Sequence, residues 1–262
     1  MTVTARIGRQ AVEWLPALVV LLAGIALWQG LIAAFHVQQF LLPKPSDIAS
    51  SLWNDRHTLW PAGWYTFQEA LGGFAIGSAL GALMAIAISR FRALGTALMP
   101  LAIAANAIPI IAFAPIFNQW FDPLGKSSKI AIAAVVCFFP VMVNTLRGLT
   151  SVRPQQIELM RAYAAGELEI YRRVRIPTAL PYIFTALKVA SVLAMIGAIV
   201  GEYFGGALIA LGVQINNDAR NLDFKTAWAG IVVASVLGIA LYLAVAIAER
   251  LVVRWAPATR ES

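Results

Sequence analysis

Residues 158–207 read ELMRAYAAGELEIYRRVRIPTALPYIFTALKVASVLAMIGAIVGEYFGGA. The first half, 158–181, carries four arginines, three glutamates and two prolines, whereas 182–201 carries a single charge, Lys188. About twenty apolar residues are enough for a helix to cross a hydrocarbon core of roughly 30 Å. A polar, helix-like stretch therefore leads directly into a membrane span, and the fold follows from asking where else this alternation occurs.

Similar apolar runs occupy roughly 15–35, 66–90, 95–120, 128–149, 182–207 and 227–253. They are apolar on all sides and do not alternate, so they predict helices and not a barrel. The 95–120 run contains Pro100, Pro109 and Pro115 and is expected to be kinked or broken. Composition agrees: 60% of the chain is hydrophobic and 13% charged, about half the charge of an ordinary soluble domain. The expectation is an all-α integral membrane protein with six transmembrane helices. A segment 1–14 precedes a transmembrane domain 15–253, and a tail 254–262 follows it. The apolar stretch from Leu15 to Phe35 exceeds a signal-peptide core and reads as a retained first span.

Lysine and arginine placement orients the spans. Putting both termini, the 90–94 turn and 150–181 on one side collects 14 basic residues there against 6 opposite. Both termini and the 150–181 segment are therefore expected in the cytoplasm. The net charge of +7 follows from this asymmetry and from attraction to anionic membrane lipid. No basic patch interleaved with aromatics remains for a nucleic acid.

Gly73, Gly77 and Gly81 fall four residues apart, as do Gly197, Gly201 and Gly205; small residues at that spacing let helices approach closely. Polar residues within spans are costly, so Asn106, Asn144 and Glu202 are candidates for a translocation path or gate. The asparagines could equally hydrogen-bond between helices, and Glu202 could cap a turn and stay wet. Cys137 is a lone cysteine in an apolar run, and His36 and His57 lack metal-ligand spacing, so no metal site or disulfide is expected. GKSSK at 125–129 is not a phosphate loop, because the required upstream glycine position holds Trp120. The chain should bind no cofactor and catalyse no reaction itself.

Within 150–181, Ile157, Met160, Ala164 and Leu168 recur at helical spacing, which predicts a short amphipathic helix, with Pro177 and Pro181 breaking the chain before the next span. So short a helix is marginal in water and fits a docking element held by a partner, or an interfacial helix on lipid. The segment resembles the EAA loop of ABC importer permeases. Glu158 takes the Glu position, Val174 the Ile, Ile176 the Leu and Pro177 the Pro. Leu159 and Met160 stand for the two alanines and Ala164 for the glycine, a loss expected to straighten the turn. FLLPKPSDI, PIIAFAPIF and PTALPYIFTALKVA are similar to the nitrate/taurine/sulfonate-type permeases.

That resemblance implies a type I ABC importer permease in a bacterial inner membrane, homodimeric and multi-pass. Each copy would dock its EAA helix, with Glu158 and Arg161 adding charged contacts, on an ABC ATPase dimer that binds ATP and Mg. A periplasmic or lipid-anchored binding protein would deliver substrate. GALIALGVQINNDARNLDFKTAW resembles the pyrimidine/riboflavin-type branch, with taurine, sulfonate or nitrate as other family substrates. The alternative is a self-sufficient channel or secondary transporter, against which stand the lack of a clear inverted repeat and of buried carboxylates suited to ion coupling. An intramembrane enzyme is disfavoured by the lack of a nucleophile–base arrangement.

Overall fold

The computed structural model describes residues 3–39, 41–90 and 110–255. In chain order the helices are α1 (Val3–Ala34), α2 (Pro45–Asn54), α3 (Arg56–Arg90), α4 (Ala114–Trp120, preceded by a 3₁₀ turn Ile110–Phe113), α5 (Ser127–Thr150), α6 (Pro154–Ala162), α7 (Glu167–Tyr203), α8 (Leu211–Arg220) and α9 (Phe224–Val252). Five of them are long and apolar enough to cross a membrane: α1 from Leu15, α3, α5, α7 and α9. The expected 95–120 span lies mostly outside the described residues. Its described end is a 3₁₀ turn followed by a short helix with Pro115 in the first turn.

Two boundaries differ from the sequence reading. Helix α3 begins at Arg56, ten residues before the apolar run, because hydropathy marks where a helix enters lipid and not where its hydrogen bonds begin. Nor does the chain break at Pro177 and Pro181. Helix α7 runs unbroken from Glu167 to Tyr203, with a π turn at Tyr171–Arg175. That widened turn interrupts the ordinary ladder immediately before Pro177, where a missing N–H costs least.

The chain divides into two compact units. In the first, residues 1–60 and 215–232, α1 and α2 are joined by Gln29, whose amide exchanges hydrogen bonds with Ser46. Trp28 meets Trp228 edge to face at 5.4 Å, and the Ser51 and Thr226 hydroxyls lie 3.4 Å apart. Asp218, near Asp55 and Asp223, has its carboxyl pushed above the usual range, chiefly by burial.

In the second, residues 61–214 and 233–262, α5 is packed between α3 and α7. On one side Gly73, Gly77 and Gly81 of α3 lie against the α5 backbone; a Cβ on Gly77 would collide with the Ala134 carbonyl, and one on Gly81 would sit 2.6 Å from the Phe138 carbonyl oxygen. On the other side Gly197 faces Ala133 and Gly201 faces Ile132 and Lys129, flanked by the fully buried Ala186, Ala190, Ala194 and Ala198. Without a hydrophobic force between helices in lipid, such close backbone packing is what joins them. Gly205 is not part of this stripe. It lies beyond α7 in a turn at φ +148°, a conformation open to glycine. Lys188 of α7 pairs with Glu249 of α9 at 2.8 Å, and Cys137 donates to the Ala190 carbonyl at 3.3 Å.

Candidate functional site

Two groups of polar residues stand out, at opposite ends of α7. The first is the segment around α6. Arg153 is extended, as a residue before proline must be, and Pro154 opens the helix. Helix α6 closes in a Schellman turn: the Ala165 N–H donates to Met160 O at 3.0 Å and the Ala164 N–H to Arg161 O at 2.9 Å. Ala164 adopts φ +55°. The turn is thus kept and not straightened by the alanine. A side chain there costs about 1–2 kcal/mol, which the Arg161–Glu167 pair across the turn (3.1 Å) helps to offset. Ala164→Gly is expected to stabilise the turn by about 1 kcal/mol, read as an increase of roughly fivefold in hydrogen-exchange protection of the Ala165 amide.

No residue of α6 is buried. Leu159 is 58% exposed, Tyr163 78% and Leu168 84%; of the expected amphipathic face, Ile157 and Met160 are half-buried and Ala164 and Leu168 exposed. Glu158 is exposed and has no ion-pair partner among the described residues, while Arg161 is engaged with Glu167. Met160, Val174 and Pro177 instead line a hollow of about 320 Å³ with Arg173 and Trp255, and Ile176 lies at the start of the regular part of α7, partly exposed. The π turn holds the segment to the end of α3. The Tyr171 hydroxyl lies 2.6 Å from Ser89 Oγ, and the Arg175 guanidinium stacks over the Tyr171 ring at 4.9 Å.

The second group surrounds Glu202, at the other end of α7. Glu202 is 1% exposed, so it caps a turn but does not stay wet. Its Oε1 accepts from Thr66 Oγ1 at 2.6 Å and its Oε2 from the Gly212 N–H at 2.6 Å; the Thr66 hydroxyl in turn accepts the Leu211 N–H at 3.0 Å. Leu211 and Gly212 open α8, and helix starts leave such N–H groups without partners. Side chains of α7 and α3 therefore cap α8 from outside. A side chain at Gly212 would meet Glu202 Oε2 at 2.6 Å and the Ile199 carbonyl at 2.7 Å, so this close approach requires glycine.

Thr66 and Glu69 are one turn apart on α3, and both are buried. Lys129, in the first turn of α5, is also fully buried, with its ammonium donating to the carbonyls of Pro123 and Gly125. Buried carboxyl groups are therefore present, contrary to the sequence reading, which saw none suited to ion coupling. The legible signal was a threonine and a glutamate three residues apart at the edge of an apolar run. Asn144 donates to the Pro140 carbonyl at 2.9 Å within its own helix, and Asn106 lies outside the described residues.

Residues 77–255 match the family model described as "Binding-protein-dependent transport system inner membrane component". The chain belongs to that family. The permease is 32% identical over 251 residues to the riboflavin transport system permease protein RibX of Chloroflexus aurantiacus, covering 94% of this chain and 92% of that one. It is 34% identical over 224 residues to the formylaminopyrimidine transport permease protein ThiX of Halalkalibacterium halodurans, covering 83% and 87%. Its fold is similar to a crystal structure of an amino acid ABC transporter, with TM-score 0.60 and 15% identity over 79% of this chain and 97% of that one. The permease is thus a multi-pass, all-helical transport subunit of an ABC importer and not an enzyme. It works with a separate ATPase and a substrate-binding protein.

Proposed function

We propose that the permease couples ATP hydrolysis to transport through 154–177, and that its cargo is a flat nitrogen heterocycle of the riboflavin or aminopyrimidine type. The observation that carries the coupling reading is α6 and the turn after it: a helix with no buried residue, with Leu159, Tyr163 and, at the start of α7, Leu168 exposed, yet tied to α3 by Tyr171 and the π turn. A helix of nine residues is unstable alone, and an apolar face without cover calls for a protein surface. Docking on an ATPase supplies that surface, and the rigid connection into α7 carries its movement into the span. The charge bias of the sequence puts α6 and both termini in the cytoplasm, and a second copy of the permease completes the pair that an ATPase dimer engages. Glu202 and its partners then lie at the outer side, where delivered substrate arrives, and Asn106 and Asn144 remain candidates for the path.

The substrate reading rests on two relatives, 32% and 34% identical, whose names specify riboflavin and formylaminopyrimidine. Uptake of labelled riboflavin, formylaminopyrimidine and an alkanesulfonate by native cells, with and without the permease gene, tests it. Loss of uptake of one heterocycle by at least tenfold is expected on deletion. Loss of sulfonate uptake alone would reassign the cargo.

A further inference from the structure

We propose that the Lys188–Glu249 ion pair fastens the C-terminal half of α9 to α7, so that movement entering α7 from the coupling segment carries α9 with it. The pair joins two spans directly, at 2.8 Å, with each side chain 24% exposed. Lys188 is the single charge in 182–201 and lies about 9 Å along the helix from the start of that apolar run. Glu249 lies about 6 Å before the end of its own run at 253. Charges at such depth are costly alone and are found in pairs. A charge-assisted bond of this length is among the strong ones.

The rest of the contact between these two helices is looser. Leu241, Val245 and Glu249 recur every four residues on α9, and the first two are buried. Further along α9, Gly238 faces Met195, which is two turns beyond Lys188 on α7. The facing stripes therefore run antiparallel, with the ion pair at one end. A Cβ on Gly238 would stand 3.8 Å from Met195, in ordinary contact, whereas one on Gly77 would collide with the α5 backbone. At Gly238, then, α9 lacks the backbone approach that joins α3, α5 and α7. In lipid, apolar side chains gain little by meeting each other in place of acyl chains, which leaves the ion pair as the firm connection to α7. Nearer its N-terminus α9 is held by α3, where Gly63 packs against Val233 and Leu237. Separating opposite charges in a low-dielectric medium strands both of them, so a shift of α7 draws Glu249 along. This role rests on α7 being the route from the ATPase, as proposed above.

Hydrogen exchange of the full-length permease with its co-purified ATPase in lipid nanodiscs, with and without ATP plus vanadate, tests the link. In the wild type ATP should change exchange in peptides from both α7 and residues 233–252. The Lys188→Met/Glu249→Leu double variant removes the link without leaving a charge unpaired in the membrane, a replacement that proteins commonly tolerate. Its response in 233–252 should fall by roughly fivefold or more while the response in α7 is kept. A merely structural role would leave both responses in place in a variant that folds. The charge swap Lys188→Glu/Glu249→Lys restores the pair and should restore the response. A full response of 233–252 in the double variant overturns the proposal. Should that variant fail to fold, Glu249→Gln takes its place with the same expectation and the same overturning result. Absence of any ATP response in α7 of the wild type overturns the coupling reading itself, and this role with it.

Discussion

Converting Leu159 and Tyr163 to aspartate is expected to abolish recovery of the ATPase with the tagged permease while leaving the permease itself intact. The reasoning starts from exposure. Leu159 and Tyr163 project from a helix in which nothing is buried, so their loss removes little from the permease fold, and surface changes of this kind usually fall within about 0.5 kcal/mol. In a docked complex the same side chains become the apolar centre of an interface. Residues of that kind cost about 2 kcal/mol or more each when truncated, and a buried, unpaired carboxylate adds to the loss. Two such changes together weaken association by roughly three orders of magnitude or more. Co-purification from native membranes reads the first effect, and the thermal transition of the isolated permease reads the second. Normal ATPase recovery with the double variant would remove α6 from the coupling interface. The contrast with Glu158→Lys is informative, since a rim charge alters association rate and salt dependence more than affinity.

The second large effect concerns Gly77. Substitution by alanine is expected to destabilise the permease by roughly 3 kcal/mol, at the upper end of overpacking penalties, because the added methyl group would meet the Ala134 carbonyl and not a movable side chain. Backbone on both sides leaves α3 and α5 only one response, which is to separate. That separation also loosens the contact at Gly73 and Gly81, where a Cβ likewise meets α5 backbone. Gly24→Ala is the internal control, since a Cβ there meets nothing within 4 Å, and it should leave the transition unchanged. Gly197→Ala should fall between, its nearest neighbour being Ala133 Cα at 3.0 Å. Thermal denaturation in one detergent across the series gives the order. A Gly77→Ala transition equal to that of Gly24→Ala would show that α3 and α5 do not pack through this stripe.

Much of this protein is legible without coordinates because the bilayer imposes a simple rule: a span must be apolar for about twenty residues and must satisfy its own backbone. Apolar runs, basic asymmetry and glycine spacing are local properties, readable along a single chain. Glu158, Val174, Ile176 and Pro177 keep a spacing that resembles a coupling loop, a reading that the Leu159 and Tyr163 double variant puts to the test. Local pattern misled where geometry could compensate. Ala164 makes the left-handed turn that glycine usually makes, with the Arg161–Glu167 pair across it, and the π turn lets α7 pass through Pro177.

The tertiary structure alone decided the cluster at the far end of α7. Thr66 and Glu202 are 136 residues apart, and nothing in either neighbourhood announces that they meet. Glu69 and Lys129 read as charges at span ends, where side chains ordinarily reach water. They are buried because Gly73, Gly77, Gly201 and their neighbours bring three helices close enough to exclude it. Hydropathy and charge act residue by residue and so appear in the sequence. Burial of a polar group depends on what several distant segments do together, and only the packed helices determine it.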